Sequence, residues 1–112
     1  MKRLLLLLLF PLTALADGPI VGPNCLMTWD PNPASDQVTN YNVYCGTSTG
    51  QYGPPTAITG TQAACSQIGI TTVGQYYCVL TAVNSIGESG QSGEAPFILL
   101  GLPNAPTNIQ IQ

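Results

Sequence analysis

Acids, bases and nucleophiles are scarce in this chain. It has no histidine, and its two basic residues, Lys2 and Arg3, both lie at the start. Mechanisms that use His or Lys therefore have nothing to work with beyond residue 3, and the serines and threonines have no base to activate them. Carboxylates remain, at Asp17, Asp30, Asp36, Glu88 and Glu94. Asp30 and Asp36 flank a turn with Asn32 between them, a grouping that could do acid–base work or hold calcium. Asp and Asn are equally turn formers, which accounts for them without chemistry. Glu88 and Glu94 stand in or beside the glycine-rich stretch SIGESGQSG and read as solubility charges. The expectation is no enzyme, no metal and no cofactor.

Four cysteines are the other reactive side chains: Cys25, Cys45, Cys65 and Cys78. They include no C-x-x-C pair and have no histidine to join them, which argues against zinc. In an exported chain, four cysteines point to two disulfides. Free thiols serving as small apolar core residues are the alternative.

Export is read from residues 1–16. Lys2 and Arg3 form a basic start, Leu4 to Phe10 an apolar run, and Ala14-Leu15-Ala16 a small-residue cleavage site, with cleavage expected near Ala16-Asp17. The apolar run falls short of the roughly 20 residues that a membrane helix needs. The mature form is thus expected outside the cytoplasm (secreted, periplasmic or extracellular) and free of the membrane. It would carry no Lys or Arg, so nucleic acid is excluded as a partner: phosphate affinity comes from those side chains. Side-chain ion pairs are likewise excluded.

What remains is one small domain, residues 17–102, and a tail, residues 103–112. Its hydrophobic pattern has period two rather than a helical period. Cys25, Met27 and Trp29 alternate with Leu26 and Thr28. Tyr41, Val43 and Cys45 alternate with Asn42 and Tyr44. Pro31 and Pro33 break the chain between these two strands. Further short strands are expected at Ile20-Val21, Thr56–Thr59, Ala63–Ile70 and Phe97–Leu100. Tyr76–Asn84, the longest β-branched and aromatic run, reads as a central strand. Short strands at regular spacing, separated by Gly, Pro, Asn and Ser, indicate an all-β sandwich or barrel.

The ordered set of pieces M-T-W-D-P (Met27 to Pro31), Y-N-V-Y (Tyr41 to Tyr44) and Y-x-x-x-L-T-A-V-N-S-I-G-E-S (Tyr76 to Ser89) resembles a fibronectin type III domain over roughly residues 20 to 102. The resemblance implies an immunoglobulin-like sandwich of seven strands, with sheet A-B-E facing sheet C′-C-F-G. It implies core roles for Trp29, Tyr41 and Leu80. Tyr76 becomes the corner tyrosine before strand F, its hydroxyl bonded to the backbone of the turn it follows. The acidic turn becomes the loop between strands B and C.

On that strand assignment all four cysteines can face inward, and three pairings exist. Cys25–Cys45 with Cys65–Cys78 is preferred, because each bridge would join sequential strands in opposite sheets. Cys25–Cys78 with Cys45–Cys65 would imitate the immunoglobulin bridge. The tail P-N-A-P-T-N-I-Q-I resembles the first strand of a further repeat. Thr107 to Ile111 is accordingly a candidate to pair with the edge of strand B, in its own or a neighbouring molecule.

Tyr44 and Tyr77 fall on outward positions of strands C and F, with Tyr52 in the loop after strand C. Exposed tyrosines on a sheet can stack on sugar rings or anchor a protein. They can equally form a cross-strand pair that stabilises the sheet. The function expected is a non-catalytic binding or adhesion module for a protein or carbohydrate at the cell surface. A structural spacer or edge-strand assembly unit, and an accessory carbohydrate-binding module, are the rival readings.

Overall fold

The computed structural model describes residues 17–112, which form seven strands in two sheets. The strands are β1 (Ile20–Val21), β2 (Leu26–Thr28), β3 (Asn40–Gly46), β4 (Thr56–Ile58), β5 (Gln62–Ala64), β6 (Gly74–Val83) and β7 (Ala95–Leu99). The larger sheet runs β1-β7-β6-β3-β4, and the smaller is the pair β2-β5. No α-helix occurs among the described residues. The leader expected at residues 1–16 lies outside them.

β6 is central, as its composition predicts. It pairs antiparallel with β3 from Asn40↔Val83 to Gly46↔Tyr77, and with β7 from Gly74↔Leu99 to Cys78↔Ala95. Alternation then sorts the side chains. Tyr41 and Val43 of β3, Cys78 of β6, and Phe97 and Leu99 of β7 are buried with Ile58, Ala63, Cys65 and Ile70 between the sheets. Val79 and Thr81 point to the opposite face of β6, yet are only 3% and 5% exposed.

Of the four residues expected in the core, Tyr41 is buried in it, and Trp29, Tyr76 and Leu80 pack against it from its margin. Trp29, Tyr76 and Leu80 are half-buried, while Tyr41 is 8% exposed. Trp29 does meet Tyr41 edge to face, with ring centroids 5.6 Å apart. Its Nε1 is buried without an acceptor, a cost of about 1–3 kcal/mol. Tyr76 stacks on Phe97 and donates its hydroxyl to the Thr72 carbonyl at 2.5 Å. That is the corner bond expected of it.

Three expectations are corrected. First, β1 does not join β2. It pairs in parallel with β7, Ile20↔Ile98 and Val21↔Leu99, so the smaller sheet keeps two strands. The reason is a close approach: Gly18 has a φ of +84°, and a Cβ there would stand 2.1 Å from the Pro96 carbonyl oxygen. Only glycine lets the lead-in lie this near β7. Second, the strand expected over Ala63–Ile70 stops at Ala64. Cys65–Ile68 forms a 3₁₀ turn, with the Gln67 side chain accepting from the Ala64 N–H at 3.3 Å.

Third, all four cysteines are in disulfides, but as Cys25–Cys65 and Cys45–Cys78, neither of the two arrangements weighed above. Both bridges join neighbours within a sheet rather than strands of opposite sheets. Cys45 and Cys78 are register partners on β3 and β6, with Cα atoms 4.1 Å apart. Cys65 donates its N–H to the Cys25 carbonyl at 3.0 Å, continuing the β2–β5 ladder by one step, with Cα atoms 5.4 Å apart. Such directly opposed positions bring the sulfurs within bonding reach without moving the backbone.

The tail does not pair along β2 of its own chain. Residues 100–112 carry no strand and are exposed throughout.

Candidate functional site on the outer face of the larger sheet

Tyr44 and Tyr77 both face outward, as their positions predict. Tyr44 opposes Val79 and Tyr77 opposes Gly46, so the two tyrosines are diagonal neighbours on β3 and β6. Diagonal side chains of this size lie within reach of each other. Tyr52 is brought to the same region by the chain after β3. Gly46 makes this possible: a Cβ there would fall 1.9 Å from the Gln51 carbonyl oxygen. Ser48 and Gln51 close the turn, and Gly53 donates to the Cys45 carbonyl at 2.9 Å.

Residues 84–94 fold back alongside β6, on the side of the sheet that β7 leaves open beyond Cys78, and bring Glu88 onto Thr81. Val83 bridges to Glu88, and the N–H groups of Ser89 and Ser92 donate to the Ala82 and Leu80 carbonyls, each at 2.8 Å. In return the Ser89 and Ser92 hydroxyls accept from the N–H groups of Ala82 and Leu80, each at 2.9 Å. Serine side chains thus stand in for the ladder partners that the irregular backbone cannot supply.

This path carries two carboxylates onto the face. Glu88 accepts from the Thr81 hydroxyl at 2.5 Å, the Asn42 amide at 3.1 Å and the Tyr44 hydroxyl. Glu94 accepts from the Thr49 hydroxyl at 2.6 Å, the Gly50 N–H at 2.9 Å and the Tyr52 hydroxyl. Tyr77 donates to Asp17 at 3.3 Å. All three tyrosines singled out from the sequence therefore end on a carboxylate. The reading of Glu88 and Glu94 as solubility charges is corrected, since each organises one of these clusters. Their spacing held a signal. They are six residues apart, so a loop running extended places both side chains on one face.

The electrostatics follow from these bonds. Hydrogen bonds from Thr81, Tyr44 and Asn42 hold Glu88 below the usual glutamate range, and bonds from Thr49, Tyr52 and Gly50 do the same for Glu94. The hydrogen bond to Glu88 raises the Tyr44 hydroxyl, and that to Glu94 raises Tyr52. Tyr77 is raised by its partial desolvation, then by the charge of Asp17. The result is a face of oriented aromatic rings and fixed acceptor oxygens with no cation among residues 17–112. It suits a ligand rich in hydroxyl donors, or a partner bringing positive charge.

The acidic turn is a separate feature. Ala34–Asp36 forms a single 3₁₀ turn, closed by Gln37 in the left-handed region at φ +49°. Asp36 accepts from the Asn32 amide at 2.9 Å, and the Asn84 amide donates to the Asp36 carbonyl at 2.8 Å. The backbone N–H of Asn32 donates to the Tyr41 hydroxyl at 2.9 Å. These bonds are the chemistry of a turn. Among the described residues no three His, Cys, Asp or Glu side chains are grouped so as to hold a metal ion.

No protein-family model matches the chain. No curated protein matches it either. Among solved structures it is similar to a Fn3-like protein from Clostridium thermocellum, with a TM-score of 0.59 and 27% identity over 80% of this chain and 92% of that one. The match takes in nearly all of that chain, and this all-β, two-sheet chain accordingly has a fibronectin type III-like fold.

Proposed function

We propose that this protein is an exported, non-catalytic binding module whose outer β3–β6 face takes a carbohydrate or protein partner at the cell surface. One observation carries the reading: Tyr44, Tyr52 and Tyr77 lie on one face, each held by a carboxylate. Anchoring a ring in advance removes part of the ordering cost of binding. Two disulfides suit an oxidising compartment, which supports export. A domain that lacks His and Lys past residue 2 has little means of general acid–base or nucleophilic catalysis.

Aromatic rings bordered by acceptor oxygens match the alternating apolar faces and hydroxyl donors of a sugar ring. Carbohydrate is therefore the first ligand class to test, in keeping with an accessory carbohydrate-binding module. The experiment compares Tyr44→Ala/Tyr77→Ala with Tyr44→Phe/Tyr77→Phe on a glycan array and in pull-downs from surface extracts. The alanine pair should lose retention at least tenfold, about 1.4 kcal/mol, while the phenylalanine pair, which keeps the rings but not their carboxylate anchors, should lose less. Binding unchanged in the alanine pair, at an unchanged melting temperature, would remove this face from the function.

A further inference from the structure

The parallel pairing of β1 with β7 leaves one edge of β2 without a partner. The ladder to β5 runs through alternate residues of β2. Cys65 donates to the Cys25 carbonyl at 3.0 Å, and Trp29 donates to the Thr61 carbonyl at 3.0 Å. With Leu26↔Ala64, Met27↔Ala63 and Thr28↔Gln62 in register, the backbone groups of Cys25, Met27 and Trp29 point toward β5. Those of Leu26 and Thr28 point the other way, to the open edge. Leu26 is also 54% exposed. A short strand with free donors and acceptors and an exposed leucine is a template for another strand.

The same chain carries a segment suited to that edge. Leu102, Ile109 and Ile111 are 94%, 82% and 90% exposed, on backbone that makes no ladder. Thr107, Ile109 and Ile111 fall on one side of an extended strand. Residues 100–112 hold no charged side chain, so no side chain of the segment is repelled by the acidic body of another molecule.

Direction decides which molecule the segment joins. β1 runs parallel to β7, and Leu100 donates to the Val21 carbonyl at 2.9 Å. The chain turns just past Val21, with Cys25 donating to the Gly22 carbonyl at 3.1 Å, and β2 runs back. The tail thus leaves the sandwich at the end where β2 begins, heading away from it. At about 3.3 Å per residue, Thr107–Ile111 reaches roughly 25–40 Å beyond β7. A second copy in the same orientation at that distance presents its β2 antiparallel to the arriving segment.

The geometry points to head-to-tail self-assembly, in which Thr107–Ile111 of one copy adds as a third strand beside β2 of the next. Asn108, at φ +56° in the free tail, becomes extended on pairing. Because donor segment and acceptor edge are different surfaces, the contact is heterologous and chains grow rather than close. Backbone hydrogen bonds supply the affinity, as in other strand additions. Raised salt favours assembly by screening repulsion between acidic bodies.

The test uses the chain, a form truncated after Leu102, and Thr28→Pro, which removes an outward-facing donor without touching the bonds to β5. Sedimentation should show species that lengthen with concentration for the full chain, and single molecules for each altered form. Mixing the two altered forms is the decisive arm. Thr28→Pro still has its tail and the truncated form still has its edge, so together they should form a 1:1 pair and nothing larger. Should Thr28→Pro fail to fold, a peptide of residues 103–112 titrated into the truncated form must shift the Leu26 and Thr28 amide resonances. A full chain that stays monomeric up to about 1 mM, a very weak Kd, overturns the inference. So does assembly that survives truncation.

Discussion

Glu88 and Glu94 are the residues on which the outer face turns, and their ionisation is testable. Each is held below the usual glutamate range by the donors around it, hydroxyls foremost. The unfolded chain therefore takes up protons before the folded one as pH falls. The stability these groups confer is present above the ordinary glutamate value of about 4.3 and is lost as pH falls through their lower folded values. Glu88→Gln/Glu94→Gln should flatten that part of a plot of melting temperature against pH, leaving the neutral plateau lower. An unchanged acid limb would mean the carboxylates are not held as described. The tyrosines work in the opposite sense at the other end. Tyr44, Tyr52 and Tyr77 are raised, so the unfolded chain loses its phenolic protons first and stability declines as pH climbs past about 10. Replacing all three with Phe should push that decline to higher pH, read by the same melting series.

The two disulfides lie in elements of very different strength. β3 and β6 share seven register pairs from Asn40↔Val83 to Gly46↔Tyr77, whereas β2 and β5 share three. Cross-links of 33 and 40 residues' separation restrict the unfolded chain almost equally, each worth roughly 2–4 kcal/mol. The difference is local: a two-stranded pair this short is marginal by itself. Cys25→Ala/Cys65→Ala should speed amide hydrogen exchange at Leu26–Thr28 and Gln62–Ala64 while β3 and β6 stay protected. Cys45→Ala/Cys78→Ala should lower the melting temperature without singling out its own strands. Equal, global loss of protection in both variants would contradict this. Gly46 offers a second probe of an element, since an added methyl there meets backbone at 1.9 Å. Gly46→Ala should cost about 1–3 kcal/mol and release Tyr52 from Glu94, seen as a phenol titrating nearer its ordinary value.

At this scale the sequence is readable in some places and silent in others. Period two and the Gly/Pro breaks marked the position of every strand, because alternation is imposed by burial on one face. They could not say that β1 joins β7. Two residues have too little pattern to choose a neighbour, and the choice rests on Gly18 lying against Pro96. The cysteines erred for another reason. Strands C and F are adjacent in the sandwich that the resemblance implied, as are B and E. Opposed positions on adjacent strands bridge more readily than positions across the core. Alternation marked Tyr44 and Tyr77, and loop position Tyr52, but the Glu88 and Glu94 partners of Tyr44 and Tyr52 needed the path of residues 84–94, which glycine and serine leave open.

For the molecule as a whole, the distribution of charge matters more than any one group. Lys2 and Arg3 are the only basic side chains, and every charged side chain from residue 17 onward is acidic. No side-chain ion pair can therefore contribute to the fold of residues 17–112, and every charge–charge interaction between their side chains is repulsive. Most proteins mix attractive and repulsive pairs, so salt has a small effect of either sign. Here the side chains all push one way: screening relieves repulsion between Glu88 and Glu94 on one face and between them and Asp17, against only the attraction of an amino terminus at Asp17. Sodium chloride raised from low ionic strength to about 1 M, where the Debye length is near 3 Å, should raise the melting temperature of a chain of residues 17–112 or leave it unchanged. The form truncated after Leu102 isolates this effect from assembly, because it lacks the segment through which copies would join. A melting temperature that fell with salt in that form would mean that attraction, from an amino terminus at Asp17 or a bound cation, outweighs the repulsion among the carboxylates.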